Sequence, residues 1–272
     1  MNNLLKTLFV MNLSACISSG SKNTEPSTTT DNRLYDILLV FDNSGSMAEE
    51  RAAVLESFAL LWEGLSPDAG FQLGITASDS TTALGLLAGE PKLLTADTIE
   101  EVFPSTMDSL PVGSGQEEPL EAAFMALCRA ADPPPSSCMH TTSSFTEAEI
   151  GSNEGFLTAG STVVILSISD EGDSSRQISP GDDDVSIYQD AYTEFNHPLV
   201  FLALGPAYDQ STGIIDCNSG GASAWGVQRF SSLVEATNGI YLPLQSINEN
   251  GECESTNMDD NMSAFAEQLN SL

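Results

Sequence analysis

The hexapeptide Asp42-Asn43-Ser44-Gly45-Ser46-Met47 sets one carboxylate and two hydroxyls at alternate positions. Side chains two apart in an extended segment point the same way, so the three oxygens can converge on one point. Such oxygens are hard ligands and suit Mg2+, with Mn2+ or Ca2+ as alternatives. Ser46 also suits the N-cap of a following helix, a role that calls for neither Asp42 nor Ser44. Other chemistry is poorly supplied. The chain has two histidines, His140 and His197, and lacks a Cys-x-x-Cys pair, a Gly-x-Ser-x-Gly elbow and a phosphate-binding Gly-x-x-x-x-Gly-Lys-[Ser/Thr] loop. Thiolate zinc, nucleophilic hydrolysis and nucleotide binding therefore lack their usual residues, and no enzyme is expected.

The segments around the hexapeptide have to hold it. Tyr35–Phe41, Thr162–Ile168 and Leu199–Leu204 are near-continuous apolar runs, the pattern of strands buried on both faces. Phe71–Ile75 and Ile240–Leu242 add shorter strands, and residues 83–94 suit an edge hairpin turning at Gly89-Glu90-Pro91. Amphipathic helices are predicted over 48–64, 117–130, 184–195, 226–237 and 258–271. Alternating strands and helices imply an α/β fold, a doubly wound, mostly parallel sheet with helices on both faces. Asp42 follows the first strand directly, and open α/β sheets bind ligands beyond the carboxyl ends of their strands.

Asp42, Ser44 and Ser46, placed between a buried strand and an amphipathic helix, resemble the DxSxS motif of von Willebrand factor type A (VWA) domains. DNSGSM is a common bacterial form of that motif, and Gly155-Phe156-Leu157 and Ser169-Asp170-Glu171-Gly172-Asp173 strengthen the likeness to the lipobox-bearing bacterial members. The resemblance covers residues 34–272 and implies a Rossmann-like sheet in the order 3-2-1-4-5-6 with one antiparallel edge strand. It implies a metal ion-dependent adhesion site completed by Asp170 and by a third loop, Pro111–Leu120. In that loop Ser114 stands where the family has Thr. Ser keeps the hydroxyl but loses the methyl that fixes the rotamer. Glu117 is a second candidate should the register of the loop differ. The implied function is binding of a partner protein whose Asp or Glu carboxylate completes the metal shell. A scaffold with a purely structural metal and a metal-dependent hydrolase are the alternatives. In some relatives the last helix moves with the metal site, and the modest apolar stripe of 258–271 would allow such a shift. Asp79 is taken as a surface acid, and Asp182-Asp183-Asp184 as a solvated helix start.

The remaining sequence concerns address and charge. Residues 1–15 read as a lipoprotein signal peptide: Lys6, an apolar run from Leu8 to Leu13, then Leu13-Ser14-Ala15 before Cys16, which resembles a bacterial lipobox. The resemblance implies cleavage before Cys16 and lipidation of its thiol, with anchoring by several acyl chains. Ile17 in place of Asp favours the outer membrane. Residues 17–33, rich in Ser and Thr, form a flexible tether to a single domain over 34–272. Four cysteines remain, an even number that suggests two disulfides in an oxidising compartment, Cys128–Cys138 and Cys217–Cys253. A net charge of −31, from 39 acidic against 8 basic residues, excludes nucleic acid and basic docking on anionic lipid.

Overall fold

The structure, a computed structural model, describes residues 33–66, 68–79, 85–113, 117–140, 147–175, 185–209, 214–215, 224–250 and 252–272. The lipobox with Cys16, the tether up to residue 32, Ser114, Asp182–Asp184 and Cys217 lie outside them. The elements run β1 (Leu34–Phe41), a 3-10 turn (Gly45–Met47), α1 (Ala48–Ser57), α2 (Ala59–Glu63), β2 (Gly70–Ala77), β3 (Leu93–Thr95), α3 (Ile99–Asp108), α4 (Pro119–Ala130) and β4 (Thr162–Ile168). They continue through α5 (Ser186–Thr193), β5 (Leu199–Gly205), β6 (Tyr208–Asp209), β7 (Ile214–Ile215), α6 (Ala224–Ala236), β8 (Tyr241–Pro243), β9 (Gln245–Ile247), β10 (Cys253–Ser255) and α7 (Met258–Ser271).

Six strands form one sheet in the order β3-β2-β1-β4-β5-β8, parallel throughout except for β3 at the edge. This is the order the resemblance implied. The period of two along β1 explains how the sheet is covered. Ile37, Leu39 and Phe41 join the core under α1, α2, α3 and α7, with Val54, Phe58, Leu61, Phe103 and Phe265. Leu38 and Val40 face the other way, into a core built with Phe124 of α4, Tyr188 of α5 and Phe230 of α6. The Cys128–Cys138 disulfide forms. Cys253 is also disulfide-bonded.

Several expectations need correction. The helix over 48–64 breaks at Phe58 into α1 and α2. Within 83–94 the described residues hold no hairpin, only the start of β3, which pairs antiparallel with β2 through Leu93, Leu94 and Thr95. Helix α3 was not anticipated. It contains Pro104, and its stripe of Ile99, Phe103 and Met107, all buried, offsets the hydrogen bond that proline removes. Ser46 makes no capping hydrogen bond: it lies inside the 3-10 turn, and Met47 precedes α1. Asp79 is fully buried and is not a surface acid. Helix α7 is not loosely held. Met262, Phe265 and Leu269 are fully buried, Tyr35 Oη donates to Leu269 O at 2.8 Å, and Ser57 Oγ donates to Asp259 Oδ1.

Candidate metal centre

The site is built where β1, β2 and β4 end together. Asp42 N donates to Ile168 O at 2.9 Å, Ser78 N to Phe41 O at 2.9 Å and Ser169 N to Leu204 O at 3.0 Å, so each strand hands its last residues to its neighbour. Because Phe41 pairs with both Ala77 and Ile168, the residues that follow all three emerge side by side. The strand order reverses about β1, so its carboxyl end is the topological switch point of the sheet.

Asp42 is fully buried, and its carboxylate is held at both oxygens. Ser44 N donates to Oδ1 at 2.8 Å, and Ser169 Oγ donates to Oδ2 at 2.7 Å. The hydroxyls of Ser44 and Ser46 lie 2.8 Å apart, and Ser46 Oγ donates to Asp170 Oδ1 at 3.3 Å. The structure thus brings Asp42, Ser44, Ser46 and Asp170 into one chain of contacts. Ser169 also accepts from Glu171 N at 3.0 Å, which shapes the turn carrying Asp170. The Asp170 amide lies 3.2 Å from the sulfur of Met47, whose side chain is buried beneath the loop.

The third loop reaches the same rim at both ends of the segment 114–116. On one side Gly113 N donates to Asn43 O at 3.2 Å, and Asn43 Nδ2 donates to Pro111 O. A Cβ at Gly113 would stand 2.8 Å from Asn43 Oδ1, so a side chain there would displace the Asn43 amide that donates to Pro111 O. On the other side Glu117 is fully buried and accepts a hydrogen bond from Ser78 Oγ, while its Oε1 has no hydrogen-bond partner.

The electrostatics of this rim favour a cation. Burial, then Asp42, raises Glu117 to about 8. The same two causes raise Asp170 to about 6 and Glu171 to about 7. Among the described residues, the largest charges acting on these three groups are other carboxylates: Asp42, Glu50, Asp79, Asp170 and Glu171. Buried like charges resist joint ionisation, and a dication at the rim relieves them. The donors are carboxylates and hydroxyls, the hard oxygens that Mg2+, Mn2+ and Ca2+ take. Among the described residues no group of three or more His, Cys, Asp or Glu side chains is arranged to hold an ion. The candidate set instead mixes carboxylates with neutral hydroxyls, and the unpartnered Glu117 oxygen fits a place beside it.

No protein-family model and no curated protein matches the chain. Solved structures of similar outline include a von Willebrand factor type A protein from Catenulispora acidiphila, 13% identical with a TM-score of 0.44, matched over 88% of this chain and 43% of that one. Others are the pilus adhesin SpaC from Lactobacillus rhamnosus GG, 13% identical at TM-score 0.42, and the minor pilin PilB from Streptococcus sanguinis, 11% identical at 0.40. Each is matched over 88% of this chain, but over only 30% of SpaC and 61% of PilB, so the chain spans less than two thirds of these proteins. The chain's own sheet, ordered β3-β2-β1-β4-β5-β8 with β3 antiparallel, is a doubly wound α/β fold of the order that the resemblance to VWA domains implied. What this domain binds rests on its own residues.

Some residues of the candidate site were not assigned from the sequence. Ser169 and Ser78 orient Asp42 and Glu117, and Asn43 seats the third loop. Ser169 and Ser78 sit one place after the strand residues that pair with Phe41, a signal that exists only once the register of three strands is known.

Proposed function

We propose that this chain is an exported, lipid-anchored envelope protein that binds a partner protein through a divalent cation. The cation, Mg2+ first among the candidates, would be held by Asp42, Ser44, Ser46 and Asp170, with Ser114 or Glu117 from the third loop. The observation that carries this is the fully buried Asp42, fixed at both oxygens beside two hydroxyls and further carboxylates whose largest charged neighbours, among the described residues, are themselves acids. When bound, the ion supplies an electrophilic centre whose remaining position a partner's carboxylate can fill. Ser44 and Ser46 are neutral donors and leave more of the ion's charge uncompensated than carboxylates would. Asp42 and Ser169 set the floor of the site, and the buried Met47 excludes water from beneath it. The proposed role is binding, not catalysis. Anchoring through Cys16 at the outer membrane, with residues 17–33 as spacer, is the matching proposal for location. Among the described residues no helix is long and apolar enough to cross a membrane.

The test is calorimetric titration of the purified chain with Mg2+, Mn2+ and Ca2+, alongside Asp42→Ala. The wild type is expected to bind, and Asp42→Ala to lose measurable binding while its circular dichroism is unchanged. Crosslinked capture from native envelope should then recover a partner with Mg2+ present and lose it in EDTA. Equal ion binding by wild type and Asp42→Ala would overturn the assignment.

A further inference from the structure

Behind the metal centre lies a second buried polar cluster that the proposed site does not use. Arg229 of α6 is fully buried, and its Nη1 stands 2.8 Å from Asp173 Oδ2, also fully buried. The same Nη1 donates to Ser175 O, and the guanidinium lies 5.3 Å from the centre of the Tyr188 ring. The other oxygen of Asp173 turns toward α4. Oδ1 accepts from Leu120 N at 3.2 Å and from Ser175 Oγ, and Ser175 Oγ in turn accepts from Glu121 N at 3.0 Å. The backbone adds a tie, with Ser174 N donating to Glu117 O at 2.8 Å.

These contacts join two separate parts of the site. Residues 170–175 carry Asp170, and the segment entering α4 carries Glu117. Asp173 accepts from Leu120 N and is linked through Ser175 Oγ to Glu121 N, two amides that a helix start leaves without internal partners. Arg229 holds the far side of the same carboxylate. Glycines bring α6 close enough for this. A Cβ on Gly226 would stand 2.7 Å from Asp173 N, and one on Gly172 would stand 2.8 Å from Gly226 Cα. The start of α6 therefore lies backbone to backbone against the loop two residues beyond Asp170.

We infer that Arg229 is a positioning residue of the metal centre: through Asp173 it holds the loop carrying Asp170 against the start of α4 carrying Glu117. This rests on the proposed reading of those residues as an ion site. A guanidinium suits the task because Nη1 meets both the Asp173 carboxylate and the Ser175 carbonyl while the planar group lies beside the Tyr188 ring, a combination that a lysine does not reproduce. Removing it alone would leave a buried unpaired carboxylate and threaten the fold.

The experiment uses the full chain with Arg229→Lys, the neutral pair Arg229→Met/Asp173→Asn, and Gly226→Ala, which pushes on the loop without changing charge. Two quantities are read: Mn2+ affinity by calorimetry, and amide exchange of the metal-free protein. The double variant and Gly226→Ala are expected to bind Mn2+ about tenfold to hundredfold more weakly, the range for residues that support a metal's ligands. Arg229→Lys should fall between them and wild type. Exchange should quicken at Leu120, Glu121 and Ser174 while Leu38 and Leu39 of β1 stay protected, which a general loss of stability would not produce. Folded variants with wild-type affinity overturn the role of Arg229 alone. A wild type that takes up no Mn2+ overturns the ion reading, and this role with it.

Discussion

At the scale of single residues, the buried acids outside the metal rim give a pH signature. Burial raises Glu121 from 4.5 to about 7, opposed by a 2.9 Å hydrogen bond from Tyr188 Oη. Between those values the unfolded chain has released the proton and the folded chain keeps it. Stability therefore falls as pH rises from about 4.5 to 7, and the contribution is constant above and below. At about 1.4 kcal/mol per pH unit the loss is of order 3 kcal/mol. Glu121→Gln keeps an acceptor for Tyr188 and has nothing to titrate. Urea midpoints at pH 5 and pH 8 should differ clearly more in wild type than in Glu121→Gln; parallel slopes would show that Glu121 ionises as it does in water. The sequence marks Glu121 only as one more acid in an acidic helix start. That it points inward follows from α4 being buried along its whole length.

Among the elements, α7 invites a test because a loosely held last helix was the expectation and a well-anchored one is observed. Its buried stripe is joined by hydrogen bonds at both ends: Asn257 Oδ1 caps Asp259 N at 3.1 Å, and Asn270 Nδ2 donates to Gly64 O at 2.7 Å. Phe265→Ala should cost about 3–5 kcal/mol, the range for emptying a fully buried aromatic site. In native-state hydrogen exchange the α7 amides should open with the same free energy as those of β1. Exchange in α7 that is much faster than in β1 would show a separable helix and restore a switching role for it. The periodicity of 258–271 was legible in the chain. How firmly the stripe is gripped was not, because the grip comes from α1, α2 and the start of β1, which are distant in sequence.

For the whole molecule, the dominant quantity is the charge of −31. Self-repulsion of this size opposes compactness and is screened within about 10 Å at 0.1 M salt. The metal-free chain should gain thermal stability between 10 and 300 mM NaCl, by about 2–4 °C if screening is worth about 1 kcal/mol in a chain of this length. Calorimetry in EDTA measures this without divalent ions. A midpoint independent of salt would mean that the acids lie far enough apart not to interact. The same charge opposes a carboxylate-bearing partner, so association through the proposed site should quicken as salt rises, the reverse of the usual steering effect.

The sequence by itself determined the α/β class, the places of the buried strands and the DxSxS hexapeptide, because these are local. A strand buried on both faces needs a continuous apolar run, and alternating ligands need only neighbours two apart. The Cys128–Cys138 pairing is local in the same way. Tertiary structure alone decided that Asp79 is buried, that Ser169 and Ser78 orient Asp42 and Glu117, and that Arg229 reaches Asp173. Each depends on strand register, or on helix α6 meeting a loop far from it in the chain. Burial and charge coupling come from what surrounds a side chain in space, and an acid folded into the rim has the same letter as one left in water.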